Sequence, residues 1–171
     1  RSVIDHLIIE DLPLVDLGGL EGLTQVGQLL ISSMALLQSL QGLGSLKTAG
    51  EVEIATLAEI QSLHGLGSLE TVISLSINYN MGLLSLDGIE SLEVISEVLS
   101  IYRNDALSSL QGLRNLTYKS RVQLTITDFC PIPADSLPPR QPLVNAEFFE
   151  NLPVRLETAV CIVLQQNGCP T

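Results

Sequence analysis

Few residues in this chain are of types that carry chemistry, and their spacing narrows what that chemistry can be. Two histidines, His6 and His64, stand far apart in the sequence and share no Cys or carboxylate cluster of metal-ligand spacing. Asp5 beside His6 supplies the acid–base half of a triad, yet no Gly-x-Ser-x-Gly elbow presents a nucleophile to complete it. There is no Gly-rich phosphate loop ending in Lys, no acidic calcium loop and no CxxC pair. The 19 Asp and Glu residues are scattered, whereas hydrolysis by paired carboxylates needs two placed across one cleft. No catalytic constellation, cofactor cradle or metal site stands out, and the chain reads as a non-enzyme.

Three other groups are informative. Cys130, Cys161 and Cys169 all fall in the last 42 residues. They read either as a disulfide closing the C-terminal segment, with one thiol left over and the pairing open, or as buried thiols. Asn115, followed by Leu116 and Thr117, matches the N-glycosylation acceptor pattern. Tyr79, Tyr102 and Arg103, with Asn78, are residues of the kind that anchor protein contacts.

Composition bounds the elements that must position these groups. The chain has 171 residues and a formal net charge of −11, with 33 Leu, 4 % aromatic residues and no Trp. The length suits one domain with a sizeable core. The acidic balance argues against nucleic acid, whose phosphates call for a basic face. The longest apolar run, residues 159–164, is far short of the roughly 20 residues of a membrane span. The chain begins at Arg1 with no leader pattern, which reads as a mature or trimmed fragment. Charge is uneven: residues 1–100 hold 13 acids and 2 bases, while residues 101–171 hold 6 of each. The rod this suggests has ends of different charge, suited to different partners or to self-assembly.

The Leu excess is periodic. Gly19, Gly42, Gly65, Gly88 and Gly112 recur at intervals of 23, 23, 23 and 24 residues. Apolar residues flank each at fixed offsets, as in Leu40, Leu43 and Leu46 or Leu63, Leu66 and Leu69. Each copy then carries an alternating pair: Leu29 and Ile31, Val52 and Ile54, Leu75 and Ile77, Leu99 and Ile101, Val122 and Leu124. The extra residue of the fourth interval falls near Ser96 and Glu97. An apolar-x-apolar pair is one short strand with two inward side chains. Apolar residues three apart suit a coil turning corners rather than an α-helix, which needs a three-four alternation. One 23-residue coil cannot bury its own inner face, so coils must stack. The pattern predicts a right-handed β-helix-like repeat solenoid with about six short parallel strands, the first from residues 3–8. Its narrow interior takes aliphatic side chains and excludes rings.

The runs 75–92 (LSINYNMGLLSLDGIESL) and 99–113 (LSIYRNDALSSLQGL) resemble leucine-rich repeats, and most narrowly the receptor L domain of insulin-receptor-like and epidermal-growth-factor-receptor-like ectodomains. The resemblance covers about residues 5–127. It implies that Asn80 and Asn104 are turn asparagines bonding the backbone of neighbouring coils, with Met34, Leu57 and Thr127 departing from the pattern. It also implies an extracellular or cell-surface recognition module. The outward strand positions, Leu30, Glu53, Ser76, Ser100 and Gln123, are too irregular for a flat ice-binding face. The expected binding surface is the strand side near Asn78, Tyr79, Tyr102 and Arg103, with a protein or glycan as partner. The alternative is a structural subunit of an extracellular coat, filament or adhesive assembly. His64 falls at an outward corner, and Asn115 at the outward place held by Ser45, Ser68 and Ser91 in other copies. Residues 1–127 are thus read as the solenoid. The Pro-rich residues 128–171 are read as an irregular cap of the same domain, with short helices.

Overall fold

The computed structural model describes residues 2–118 and 123–127. They form a parallel β-solenoid of about four turns with almost no helix. The strands are β1 (Ser2–Glu10), β2 (Leu23–Ser32), β3 (Thr48–Ala55), β4 (Thr71–Asn78), β5 (Val94–Tyr102), β6 (Thr117–Tyr118) and β7 (Gln123–Thr127). They lie in one seven-stranded sheet in the order β1 to β6, with β7 also pairing β5. The only helical piece among the described residues is a single 3-10 turn, Gln111–Leu113. The expected six strands become seven because the rung after β5 is divided into two short segments, β6 and β7. The three cysteines and the expected cap lie outside the described residues.

The register follows the apolar pairs. Leu29, Val52, Leu75 and Leu99 stand opposite one another, as do Ile31, Ile54, Ile77 and Ile101. Each strand contacts only its neighbours in the stack, as a solenoid requires. Leu37, Leu40, Leu43 and Leu46 of one coil are fully buried, and so are Ile60, Leu63, Leu66 and Leu69 of the next. These rungs make a single aliphatic core with no ring in it. Removing one such Leu leaves a cavity that rigid neighbouring coils cannot close, at a cost of about 2–5 kcal/mol. The extra residue of the fourth interval sits as a bulge between Ile95 and Val98, where the register against β4 shifts. Ser96 and Glu97 occupy it, as their place in the repeat predicts.

The last copy departs from its expected register by two residues. Leu124 pairs with Leu99 and Ile126 with Ile101, so the pair in register with the apolar pairs of the earlier strands is Leu124 and Ile126 rather than Val122 and Leu124. Accordingly Thr125, not Gln123, lies opposite Ser100, and Thr127 lies opposite Tyr102 rather than at the Asn104 position. A shift of two preserves which face of a strand is apolar, so alternation alone does not choose between these registers.

The recurring glycines set the corners. Gly19, Gly42, Gly65 and Gly88 have φ between 101° and 118°, a region that side chains rarely tolerate. A Cβ at Gly42, Gly65 or Gly88 would also strike the backbone of Leu17, Leu40 or Leu63 in the preceding coil. The repeat period is therefore fixed by close stacking of backbone on backbone at one corner.

Candidate partner-binding rim

Where each strand ends, the chain turns sharply through a residue in the left-handed region. Asp11, Ser33, Thr56, Tyr79 and Arg103 all have φ of 53–57°. None is Gly or Asn, and the conformation costs each roughly 1–2 kcal/mol relative to the right-handed form. It persists because the turn backbone joins the ladder: the N–H groups of Ser33, Thr56 and Tyr79 donate to the carbonyls of Ala55, Asn78 and Tyr102 at 3.2, 3.1 and 2.9 Å. The next residue of each coil then points inward.

In the later coils that inward residue is an asparagine. Asn80 Oδ1 accepts from the Leu57 N–H at 3.0 Å, and its Nδ2 donates to the Ile54 carbonyl at 3.0 Å. Asn104 Oδ1 accepts from the Asn80 N–H at 3.1 Å and from Asn80 Nδ2 at 3.2 Å, while Asn104 Nδ2 donates to Ile77 O at 2.8 Å. Asn80 is fully buried and Asn104 nearly so, so these bonds sit in a low-dielectric interior and tie three successive coils together. Earlier in the stack Met34 fills the same place, and its sulfur accepts the Leu12 N–H at 3.4 Å. At Leu57 no side-chain acceptor exists.

Above this buried asparagine pair lies the aromatic rim. Tyr79 immediately precedes Asn80, and Arg103 immediately precedes Asn104. The Tyr79 and Tyr102 rings meet edge to face, 5.2 Å apart at 83°. The Arg103 guanidinium lies 5.8 Å from the centre of the Tyr102 ring, with Nε donating to Tyr102 Oη at 3.4 Å. Tyr79 is 47 % exposed, Arg103 is exposed and Tyr102 half-buried. Asn78 Oδ1 accepts from the Ser100 hydroxyl at 3.4 Å behind the rings. The four candidate residues therefore form one patch across β4 and β5. The corresponding turns of the earlier coils carry Asp11, Ser33 and Thr56, with no ring or cation. The positive φ of Tyr79 and Arg103 has no signature in residue type, and only the structure reveals it.

A second polar array, absent from the sequence reading, crosses the first three strands. His6, Gln28 and Glu51 are in register. His6 Nδ1 lies 3.2 Å from Gln28 Oε1, and Gln28 Nε2 donates to Glu51 Oε2 at 3.2 Å. Because the Glu51 carboxylate only accepts, the chain orients the Gln28 amide and makes His6 Nδ1 the donor. With Asp5, Gly27, Gly50 and Ile73 these residues line an open groove of about 410 Å³. His6 Nδ1 is thus engaged with an amide oxygen, whereas the orienting partner in a triad is a carboxylate.

The remaining sequence candidates are separate. His64 is exposed at its corner. Asn115 is exposed, and its Nδ2 donates to the Glu90 carbonyl at 2.8 Å. Glu21 accepts the Gly19 N–H through both carboxylate oxygens at 3.0 Å, and this bond holds its carboxyl below the ordinary value of 4.5. Among the described residues no group of three or more His, Cys, Asp and Glu could hold a metal ion, and no helix is long and apolar enough to cross a membrane. No family model, curated protein or solved structure matches this chain.

Proposed function

We propose that this solenoid is a non-enzymatic recognition module, of the leucine-rich-repeat type and akin to the receptor L domain. It serves at the cell surface or in the extracellular space and binds a protein or glycan through the rim formed by Asn78, Tyr79, Tyr102 and Arg103. One observation carries this reading: among the described strand-end turns, the two that carry exposed aromatic and cationic anchors are those whose next residue is a buried, fully bonded asparagine. An anchor held on a backbone that is already rigid loses little conformational freedom on binding. Tyr and Arg are also the side chains that most often dominate contact energy. Kinship with the repeat family is supported by the corner glycines, the inward Leu ladder and the turn asparagines.

The test is a parallel screen of a glycan array and a displayed peptide library against the wild-type protein. The reading predicts ligands that compete with one another for a single site on a monomer. A protein that yields no ligand and instead grows in mass with concentration in solution would overturn it in favour of a structural subunit.

A further inference from the structure

The aromatic rim continues past the end of β4 along its own coil. Over residues 79–84 that coil turns three large apolar side chains outward: Tyr79 is 47 % exposed, Met81 49 % and Leu84 49 %. Between them Asn80 and Leu83 are fully buried in the core. The backbone beneath is bonded, because the Leu83 N–H donates to the Asn80 carbonyl at 3.1 Å and the Leu84 N–H to the Gln61 carbonyl at 2.9 Å. The flanking coils are small, polar or charged at the same places. Thr56, Ala58 and Gln61 lie on one side, and Arg103, Asp105 and Ser108 on the other, all of them exposed. A lone exposed apolar residue is ordinary. Three on one turn, enclosed by polar neighbours and continuous with the rim, have the make-up of the centre of a protein contact.

The rings favour the same kind of partner. A sugar is gripped by stacking on the flat face of an exposed ring and by several directed hydrogen bonds. Here the edge of one tyrosine lies against the face of the other, and the Arg103 guanidinium lies over Tyr102. The faces a sugar would stack on are thus partly taken. Leu84 has no polar atom, and Met81 only a weakly accepting thioether. An apolar side chain needs neither ring face nor donor, and a flexible Met moulds itself to whatever sits on it.

We propose that the partner of the rim is a protein rather than a glycan, and that it seats an apolar side chain of the Leu or Phe kind over Tyr79, Met81 and Leu84. This rests on the rim reading given above and extends that site along one coil. The bonded turn holds the three side chains in place before the partner arrives, so little freedom is lost on binding.

The chain has two methionines, and Met34 is fully buried, so a full-length protein carrying ¹³C at the methionine methyls contains a reporter and an internal reference. Titrated N-acetyl-leucinamide should move the Met81 signal saturably and leave Met34 in place, whereas methyl β-galactoside at the same concentrations should move neither. Leu84→Ser keeps the reporter and should weaken the amide at least about fivefold, with melting temperature as the folding control. The comparison of the two probes on the wild type needs no variant. A peptide selected from a displayed library on the wild type should bind Met81→Lys, Leu84→Lys at least about tenfold more weakly. A Met81 signal that ignores the amide, or follows the glycoside equally, would overturn the proposal. So would a selected peptide that loses affinity in Tyr102→Ala, Arg103→Ala but keeps it in Met81→Lys, Leu84→Lys, and the rim reading would then stand. The converse pattern supports the apolar site and tells against the rim instead.

Discussion

Asn80 has no exposed surface and sits among Leu and Ile side chains, where each unpaired polar group costs about 1–3 kcal/mol. Its amide leaves none unpaired, because it takes the Leu57 N–H, gives to the Ile54 carbonyl and meets Asn104. Asn80→Ala should therefore destabilise by about 3 kcal/mol, since it strands both the Leu57 N–H and the Ile54 carbonyl; equilibrium urea unfolding measures it. The glycines offer an equally local contrast. Gly65 has φ of 118° and a Cβ there would meet Leu40 backbone, whereas Gly67 has open space around it. Gly65→Ala is expected to cost at least about 3 kcal/mol and Gly67→Ala less than about 0.5 kcal/mol, as read by melting temperature. The corner glycines were legible in the sequence because their places recur at the repeat period, and the turn asparagines through the resemblance to leucine-rich repeats. The left-handed residues were not, because Asp, Ser, Thr, Tyr and Arg share no chemical feature that announces a positive φ.

Strands and corners were legible to different degrees, for a physical reason. The bulge at Ser96 and Glu97 was readable because an insertion of one residue would otherwise turn the apolar face of β5 outward. The register of β7 was not, because Val122, Leu124 and Ile126 are all apolar at period two, and the sequence pattern fits two registers equally. The groove across β1 to β3 was missed because Gly27 and Gly50 do not belong to the Leu–Gly pattern, and a His–Gln–Glu row arises only when three coils are stacked. At the corner between the first two strands, Glu21 closes the Gly19 turn. Its carboxyl is held below 4.5 by the Gly19 N–H, so the charged form is favoured in the folded chain. The resulting stabilisation is complete above the unfolded value and lost as pH falls through the lowered folded value. The gap in melting temperature between wild type and Glu21→Gln should accordingly narrow as pH is taken from about 6 to about 3. A constant gap over that range would contradict the role given to Glu21.

For the whole molecule, the excess of Leu and the shortage of rings are one requirement. Stacked 23-residue coils leave a narrow interior that, among the described residues, aliphatic rungs fill. Two of the three tyrosines, Tyr79 and Tyr102, meet on the rim of β4 and β5, above the buried asparagine pair. Exposed acids lie along the stack, from Asp5 in β1 to Glu97 in β5. The proposed recognition site is the aromatic rim. The most direct measurement is the dissociation constant of a ligand selected on the wild-type protein, compared with that for Tyr102→Ala, Arg103→Ala. Both side chains lie outside the core, so the variant should keep its melting temperature, and removing two contact anchors should weaken binding by at least about thirtyfold, or 2 kcal/mol. An unchanged dissociation constant in a variant of unchanged stability would contradict the account.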